Sequence, residues 1–445
     1  MHSSARIRGR HAATVAALAL LFVGTAGTPA VADPIREDQW FLDAMKAEEM
    51  WRISTGEGIT VAVIDSGVDP TNPDLKGRVL PGKDLAANLP GDEHTGYNSH
   101  GTGMAGLIAG TGASGGGNGA FGLAPGTKIL PIRMPDPLKA ANEAAAIRQF
   151  NETLPTAIRY AADQDAQVIN ISLGQQGTSQ QVTDAVKYAL DKGSLIFAGV
   201  GNDGEKGNPV MYPAATPGVV GVAAVGKDLR RTAESEYGPQ VDMAAPGDAL
   251  VYACGGKTGV CEGHGTSGAT ALASASAALI WSAHPDWTNN QVLRVMLNTI
   301  GAPTDGSNRN DAIGYGIVRP RIALTNPGDP GPADEYPLPD LAAAQASPSP
   351  KPAITGTPGT SQDIDSGMAV PKPDDDGDVS WLAVGISATV LLCGGIAVAV
   401  VALQRRRSQA TSSFPSQLPH RPAEFGSPQS GSNQHRPPDH TQGNF

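Results

Sequence analysis

The most informative stretch of the chain is Gly263-His264-Gly265-Thr266-Ser267-Gly268-Ala269-Thr270, and an alanine-rich run from Ala271 to His284 follows it directly. Small residues around Ser267 leave room for the backbone of another molecule, and the alanine-rich run favours a helix. We therefore expect the hydroxyl of Ser267 at a helix N-terminus, a position that suits a nucleophile. Taken alone, the stretch fits a helix-capping turn better, so the prediction depends on partner residues elsewhere.

Short apolar runs rich in β-branched residues alternate along the chain with helix-like stretches. Because these runs lack polar alternation, they are typical of strands covered on both faces, as in a parallel sheet between helices. The predicted fold class is α/β, and in such sheets the ligand site lies beyond the carboxyl ends of the strands. The predicted strands are Ile59 to Ile64, Ile129 to Ile132, Val168 to Ile171, Leu195 to Val200 and Val219 to Val225.

Two residues upstream match the partners that a nucleophilic serine requires. Asp65 ends the first strand in Val63-Ile64-Asp65-Ser66-Gly67, and His100 lies in Asn98-Ser99-His100-Gly101-Thr102-Gly103. A histidine can take the proton of the serine hydroxyl, and a carboxylate can orient that histidine. Each residue alone fits a structural role, as a turn aspartate or a packed histidine, and only their combination with Ser267 indicates catalysis.

Two further strand ends carry residues that suit the same chemistry. Asn202 follows Phe197-Ala198-Gly199-Val200-Gly201, and its amide could donate a hydrogen bond to the oxyanion that forms when a serine adds to a carbonyl. Ser172-Leu173-Gly174 follows the strand that ends at Ile171 and suits pairing with an extended peptide. A turn asparagine is the structural alternative for Asn202.

The order of the three residues along the chain separates the hydrolase families. An α/β-hydrolase has the order Ser, Asp, His and a Gly-x-Ser-x-Gly motif, whereas here the order is Asp, His, Ser and the motif is Gly265-Thr266-Ser267-Gly268-Ala269. The chain instead resembles the subtilisin-like serine proteases, through Val63 to Val68, His100 to Gly106 and Gly265 to Ser267, over roughly Trp40 to Leu324.

Within that family the chain resembles the mycosins, which are membrane-anchored proteases associated with type VII secretion. The resemblance rests on an N-terminal signal segment, the lead-in from Glu49 to Gly58, a proline-rich stalk and a C-terminal apolar segment. It implies that Asp65, His100 and Ser267 form a catalytic triad and that Asn202 completes an oxyanion hole. It also implies that a three-residue strip lines the substrate cleft: Ser172, Leu173 and Gly174.

The chain departs from the wider family in two respects. Some 25 residues separate Asp33 from the first strand, too few for a folded inhibitory pro-domain. Gly268 and Ala271 stand where relatives usually carry a larger residue and a proline. At Gly268 we expect either a need for backbone freedom, or a neighbour such as His264 or the substrate in the space of a side chain. No acidic cluster is assigned to a metal, and no cofactor is expected.

Composition divides the chain into one folded domain and several flanking segments. Residues 1–32 are predicted to be a secretory signal peptide, residues 33–324 the peptidase domain, and residues 325–380 a disordered stalk rich in Pro, Asp and Ser. Residues 381–403 lack charges over a length that can cross a bilayer, and Arg405-Arg406-Arg407 follow, so the tail 404–445 is predicted to be cytoplasmic and disordered.

Charge and cysteines indicate the compartment and the partner. The formal net charge is −11, without a basic run outside the signal and the membrane edge, which argues against nucleic-acid binding and favours a protein partner. Cys254 and Cys261 flank a short loop in the exported region and are expected to form a disulfide, with two free thiols as the alternative. Cys393 lies in the predicted membrane segment.

These observations predict a membrane-anchored serine endopeptidase whose catalytic domain lies outside the cytoplasm and acts on protein or peptide substrates. The resemblance to mycosins implies association with a type VII secretion membrane complex. A scaffold that stabilises such a complex, with proteolysis secondary, is the alternative from a different functional class.

Overall fold

The structure is a computed structural model that describes residues 35–86, 88–256 and 258–346. The predicted signal peptide, the apolar segment 381–403, the tail and most of the predicted stalk lie outside these residues. None of the helices in the described ranges is long and apolar enough to cross a membrane.

A seven-stranded sheet forms the centre of the fold, with the strand order β2-β3-β1-β4-β6-β8-β9. Every neighbouring pair in this sheet runs parallel, as the continuous apolar runs predict. Two antiparallel pairs, β5–β7 and β10–β11, lie outside it. The strands are β1 Thr60–Asp65, β2 Lys83–Asp84, β3 Lys128–Arg133, β4 Val168–Ile171, β5 Gln175–Gln176, β6 Leu195–Gly199, β7 Met211–Tyr212, β8 Val220–Val225, β9 Met243–Pro246, β10 Leu250–Ala253 and β11 Val260–Gly263.

Helices cover both faces of the sheet, so the predicted mostly parallel α/β architecture is confirmed. The helices are α1 Ile35–Asp38, α2 Trp40–Met45, α3 Ala47–Trp51, α4 His100–Ala109, α5 Glu143–Asp163, α6 Gln180–Asp191, α7 Thr266–Ala283, α8 Asn289–Asn298, α9 Pro320–Thr325 and α10 Pro339–Ala346. Short 3₁₀ turns occur at Pro73–Leu75, Ser114–Gly116 and Pro137–Lys139.

The two faces of each strand belong to different hydrophobic layers. On β1, Val61 and Val63 pack with α4 and α7, whereas Ala62 and Ile64 pack with α5 and α6. Both layers are apolar because the strand has no solvent-facing side. Helix α7 is buried almost throughout its length, including Leu272. Each large apolar side chain of this kind contributes about 1.5–3 kcal/mol to folding.

The segment before β1 is an integral part of the domain. Phe41 and Leu42 are fully buried in the layer that contains α7. The buried side chain of Gln39 donates from Nε2 to the carbonyl oxygens of Phe121 and Val251, at 2.7 and 2.9 Å. This short lead-in therefore fills a place in the core and stabilises the domain directly.

The folded unit extends past Leu324, where composition predicts the stalk to begin. We name residues 326–338 the strap. Side chains of α8 bind its backbone: Arg294 donates to the carbonyl oxygens of Pro330, Pro332 and Glu335 at 3.1, 2.8 and 2.7 Å. Leu338, at the end of the strap, is buried. Composition does not predict that this segment is ordered, because the strap is held through its backbone carbonyl groups. Every residue has a carbonyl group, so these bonds leave no signal in the side-chain composition of the strap.

Replacement of Arg294 by alanine should release the strap. The substitution removes three charge-assisted hydrogen bonds, and we expect the free energy of unfolding to fall by about 1.5–3 kcal/mol. The endoprotease Glu-C should then cleave after Glu335, within the strap, faster than in the wild-type chain. Arg321→Ala is the matched control, since Arg321 is partly exposed and its contact with Glu49 is 4.0 Å long. Equal cleavage of both variants would contradict this account of the strap.

Candidate active site

The site lies at the carboxyl edge of the sheet, where adjacent strands end. Strand β1 pairs with β4, and β4 pairs with β6, so Asp65, Ser172 and the turn that carries Asn202 follow neighbouring strands. Chain order reverses at β1, which has β3 on one side and β4 on the other. Such a switch point is where ligands bind in open parallel sheets.

Asp65 and His100 form a close pair. The Nδ1 atom of His100 lies 2.8 Å from Oδ1 and 2.9 Å from Oδ2 of Asp65, whose side chain is only 1% exposed. Ser66 supports the pair, because its backbone N–H donates to Oδ1 of Asp65 and its hydroxyl accepts from the N–H of Gly101. A side chain at Gly101 would overlap the carbonyl oxygen of Gly67, so glycine permits α4 to start this close to β1.

The electrostatics of this pair favour a charged imidazole. The negative charge of Asp65 raises the pKa of His100, and burial opposes this only in part. Because Nδ1 faces the carboxylate, the opposite ring nitrogen, Nε2, remains for proton transfer. A base arranged in this way can take a proton from a hydroxyl and hold it while the neighbouring carboxylate stabilises the cation.

Ser267 is the second residue of α7, as the sequence predicts. Its hydroxyl donates to the backbone carbonyl of Ser172 at 3.2 Å, and the hydroxyl of Ser172 donates in turn to the carbonyl of Ser267 at 3.1 Å. Within the described ranges no hydrogen bond joins Ser267 to His100. Catalytic hydrogen bonds are often long or differently paired without substrate, so this geometry is compatible with a nucleophile that rotates towards the histidine.

Asn202 faces the first residue of the same helix. Its Oδ1 atom accepts from the backbone N–H of Thr266 at 2.9 Å and from the Thr266 hydroxyl at 3.1 Å. Because a backbone N–H only donates, it fixes the orientation of the carboxamide and directs Nδ2 the other way. Nδ2 makes no hydrogen bond to any described residue. It is therefore available as a donor beside Ser267.

The strip Ser172-Leu173-Gly174 divides its contacts between the helix and a cavity. Ser172 is 8% exposed and bonds to α7, as described above. Leu173 and Gly174 line an apolar cavity together with Met134, Pro135, Pro137, Ala146, Gln149, Phe150 and Gln175. The cavity therefore lies directly beside the strip and is lined mostly by apolar side chains.

Gly268 has a different neighbour from those that the sequence suggests. A Cβ atom at this position would lie 2.5 Å from Cδ1 of Leu250, at the start of β10, and 3.4 Å from Cδ1 of Leu107. The space is therefore occupied by a core side chain. His264 points elsewhere and pairs with Glu234, at 2.7 Å. The interpretation that His264 or the substrate fills this space is wrong, because the β10–β11 hairpin packs over the helix start.

Two other features surround the site. Cys254 and Cys261 are joined by a disulfide, with their Cα atoms 5.8 Å apart, at the loop end of the β10–β11 pair. No group of three or more His, Cys, Asp or Glu side chains in the described part of the chain could hold a metal ion.

Sequence reasoning missed two supporting residues of the site. Thr266 orients Asn202 with both its N–H and its hydroxyl, and Ser66 links Asp65 to the start of α4. Both residues adjoin a predicted catalytic residue in the sequence. Their small hydroxyl side chains next to Asp65 and Ser267 are the signal that could have found them.

Comparison with known proteins agrees with this architecture. A parallel α/β sheet with a serine, a histidine and an aspartate at the carboxyl ends of its strands is an arrangement typical of hydrolases. Residues 56–316 match the model of the subtilase family. The chain belongs to the subtilase family, which confirms the resemblance inferred from the motifs.

The solved structures of two mycosins are similar to this chain. MycP1 from Mycobacterium smegmatis is 27% identical, with a TM-score of 0.58 and coverage of 69% of this chain and 89% of that one. The MycP3 protease from the type VII (ESX-3) secretion system is 31% identical, with a TM-score of 0.58 and coverage of 68% and 90%.

Curated relatives match over a smaller share of their own length. Fervidolysin from Fervidobacterium pennivorans is 31% identical over 320 residues, which are 66% of this chain and 45% of fervidolysin. A thermophilic serine proteinase from Bacillus sp. (strain AK1) is 38% identical over 204 residues, 45% of this chain and 47% of that protein. The chain thus spans about half the length of these relatives.

Replacement of Asp65 by asparagine tests the electrostatics of the pair. We expect the pKa of His100 to fall, because the negative charge that raises it is lost. The loss of stability should be larger below the unfolded pKa of histidine than at alkaline pH, since a raised histidine pKa stabilises the fold only while the ring is protonated. NMR titration of the His100 ring and thermal unfolding against pH measure these effects.

Asp69→Asn is the matched control for this substitution. The carboxylate of Asp69 accepts hydrogen bonds from Thr71 and lies just beyond the same strand. An unchanged titration of His100 in Asp65→Asn, or the same change in both variants, would contradict the assigned pairing.

Proposed function

We propose that this chain is a serine endopeptidase that is exported, anchored in the membrane and associated with a type VII secretion complex. The strongest support for catalysis is the contact between Nδ1 of His100 and both oxygens of the buried Asp65 carboxylate, at 2.8 and 2.9 Å. This pair lies beside the start of α7, where Ser267 is the second residue. A base oriented by a carboxylate next to a serine is the arrangement that acyl transfer needs.

The proposed reaction begins when Ser267 Oγ leaves the carbonyl of Ser172 and turns to Nε2 of His100. This exchange costs about the net value of one hydrogen bond, roughly 0.5–1.5 kcal/mol. His100 takes the proton as Oγ attacks the peptide carbonyl, and Asp65 stabilises the imidazolium. His100 then donates the proton to the leaving amine, and water releases the acyl group by the same steps.

The oxyanion of the tetrahedral intermediate is placed beside two donors. Nδ2 of Asn202 makes no hydrogen bond within the described part of the chain, and the backbone N–H of Ser267 lies in the first turn of α7, where the helix has no internal acceptor for it. The N-terminus of a buried helix also favours negative charge. Asn202 therefore acts in the transition state more than in the ground state.

Substrates of this enzyme are extended segments of protein. A peptide that pairs with the strip can donate to the carbonyl of Ser172, which releases the hydroxyl of Ser267 for catalysis. The apolar cavity beside Leu173 and Gly174 favours an apolar substrate side chain at that subsite. Substrate binding and activation of the nucleophile are thus coupled at one carbonyl group.

The location and the partner rest on sequence and similarity. The charge-free segment 381–403 with Arg405-Arg406-Arg407 after it supports a single span that leaves the catalytic domain outside the cytoplasm. The similarity to MycP1 and MycP3 supports association with a type VII secretion complex. A scaffold role for the folded domain is the alternative that the following experiment separates from proteolysis.

Replacement of Ser267 by alanine in the chromosomal copy should abolish the activity that secretion needs. We expect secretion to fall as far as in a strain that lacks the whole gene, and the purified chain to lose at least about 10⁴-fold in kcat. Secreted proteins are measured in culture filtrate, with immunoblots to check the level of each variant.

Ser282→Ala is the matched control, because Ser282 lies on the same helix and its hydroxyl donates to the carbonyl of Glu57, away from the site. Normal secretion by the Ser267→Ala strain, with loss in the deletion strain, would contradict an obligatory protease and establish the scaffold alternative.

A further inference from the structure

Glu236 is a buried acid that packs against the turn from Gly201 to Gly204, which carries Asn202. Glu236 is 0% exposed, and neither of its carboxyl oxygens has a hydrogen-bond partner among the described residues. Burial, together with the negative charge of Asp203, raises the pKa of Glu236 to about 7, and the backbone N–H of Asp203 opposes this shift only in part. A buried carboxyl without a partner is costly, and its presence at this place needs an explanation.

The carboxyl group packs directly against the residue before Asn202. A side chain at Gly201 would overlap the Glu236 carboxyl, and Gly201 also has φ +116°, a conformation that favours glycine. The backbone N–H of Glu236 donates to the carbonyl of Gly201 at 3.0 Å, and the N–H of Gly204 donates to the carbonyl of Glu234 at 2.8 Å. The segment of Glu236 therefore holds the turn from Gly201 to Gly204 at both ends.

We propose that Glu236 is a positioning residue for Asn202: its neutral carboxyl fills the space beneath Gly201, and its ionised form displaces the turn and moves the Asn202 amide out of line. The inference rests on the proposed role of Asn202 in catalysis. An ionised carboxylate here would have no cation among the described residues to stabilise it, and the backbone N–H of Asp203 offsets the cost of burial only in part. Movement of the glycine-containing turn would admit water to the charge.

The charged groups around Glu236 do not compensate for ionisation. Asp203, on the turn itself, carries the same charge. Glu234 pairs with His264 at the surface, at 2.7 Å. The guanidinium of Arg231 donates to backbone carbonyls, including those of Thr232 and Ala233. No ion pair of the described residues reaches the Glu236 carboxyl.

The pH dependence of turnover should be bell-shaped. His100 must lose a proton to act as a base, so activity rises with pH, whereas Glu236 must keep its proton, so activity falls above about pH 7. Stability has a matching sign. Between about pH 4.5 and pH 7 the folded state binds more protons at Glu236 than the unfolded state, so the free energy of unfolding declines as pH rises.

The kinetic test compares the purified full-length chain with Glu236→Gln, which remains neutral at every pH. Above pH 7 we expect the kcat of the wild-type chain to fall roughly tenfold per pH unit, with little change in KM. The kcat of Glu236→Gln should not fall over this range. Glu234→Gln is the matched control and should retain the alkaline decline. An alkaline decline that persists in Glu236→Gln would overturn the proposal.

A second measurement does not require activity. Hydrogen–deuterium exchange in a Ser267→Ala background follows the turn directly, with each rate corrected for the intrinsic effect of pH. Peptides that contain residues 201–204 should exchange faster at pH 8.5 than at pH 6, and the added Glu236→Gln substitution should remove this difference. Exchange that is independent of pH or of the substitution would overturn the inference. If the turn shows this pH-dependent exchange but the wild-type chain has no proteolytic activity, the proposed function is wrong while the inferred movement of the turn stands.

Discussion

The site depends on the packing of one buried helix, α7, against the parallel sheet, with the start of the helix at the carboxyl ends of the strands. Helix α7 contacts β1, β4, β6, β8 and β9, and nearly all of its residues are buried. Its small side chains permit this close approach, and its first turn lies at the carboxyl ends of the strands. Ser267 consequently meets Ser172, and Thr266 meets Asn202, through hydrogen bonds that the rest of the helix holds in register.

The same constraint explains why glycine and hydroxyl residues surround the site. Gly101 lets α4 start against Asp65, and Gly265, with φ +118°, brings the chain past Asn202 into α7. The backbone N–H of Ser66 then orients Asp65, and the backbone N–H and hydroxyl of Thr266 orient Asn202. A rigid arrangement of this kind holds charged and polar groups in place before substrate arrives, which is where much of the rate enhancement of enzymes originates.

Much of the sheet could be predicted from sequence because its strands are continuous β-branched runs with a residue of distinct chemistry at their ends. Asp65 and Asn202 follow such runs, and parallel pairing brings their ends to one edge. Contacts between distant segments could not be predicted in the same way. The packing of Leu250 over Gly268 and the unpartnered carboxyl of Glu236 depend on tertiary positions that no local pattern encodes.

The strap shows a related limit of composition. A segment rich in proline and glycine is predicted to be disordered because it has few apolar side chains to bury. Here Arg294 and its neighbours on α8 bind the carbonyl groups of that segment, and Leu338 completes the packing. The folded unit therefore ends later than composition indicates.

Ser267 is the proposed nucleophile, and His100 is the proposed base that activates it. A fluorophosphonate reagent reacts with such a serine and leaves a covalent mark that mass spectrometry can assign. We expect the purified full-length chain to be labelled on Ser267, His100→Ala to slow the labelling greatly, and Ser282 to remain unlabelled. A folded wild-type chain whose Ser267 remains unmodified, or reacts equally fast without His100, would contradict these roles.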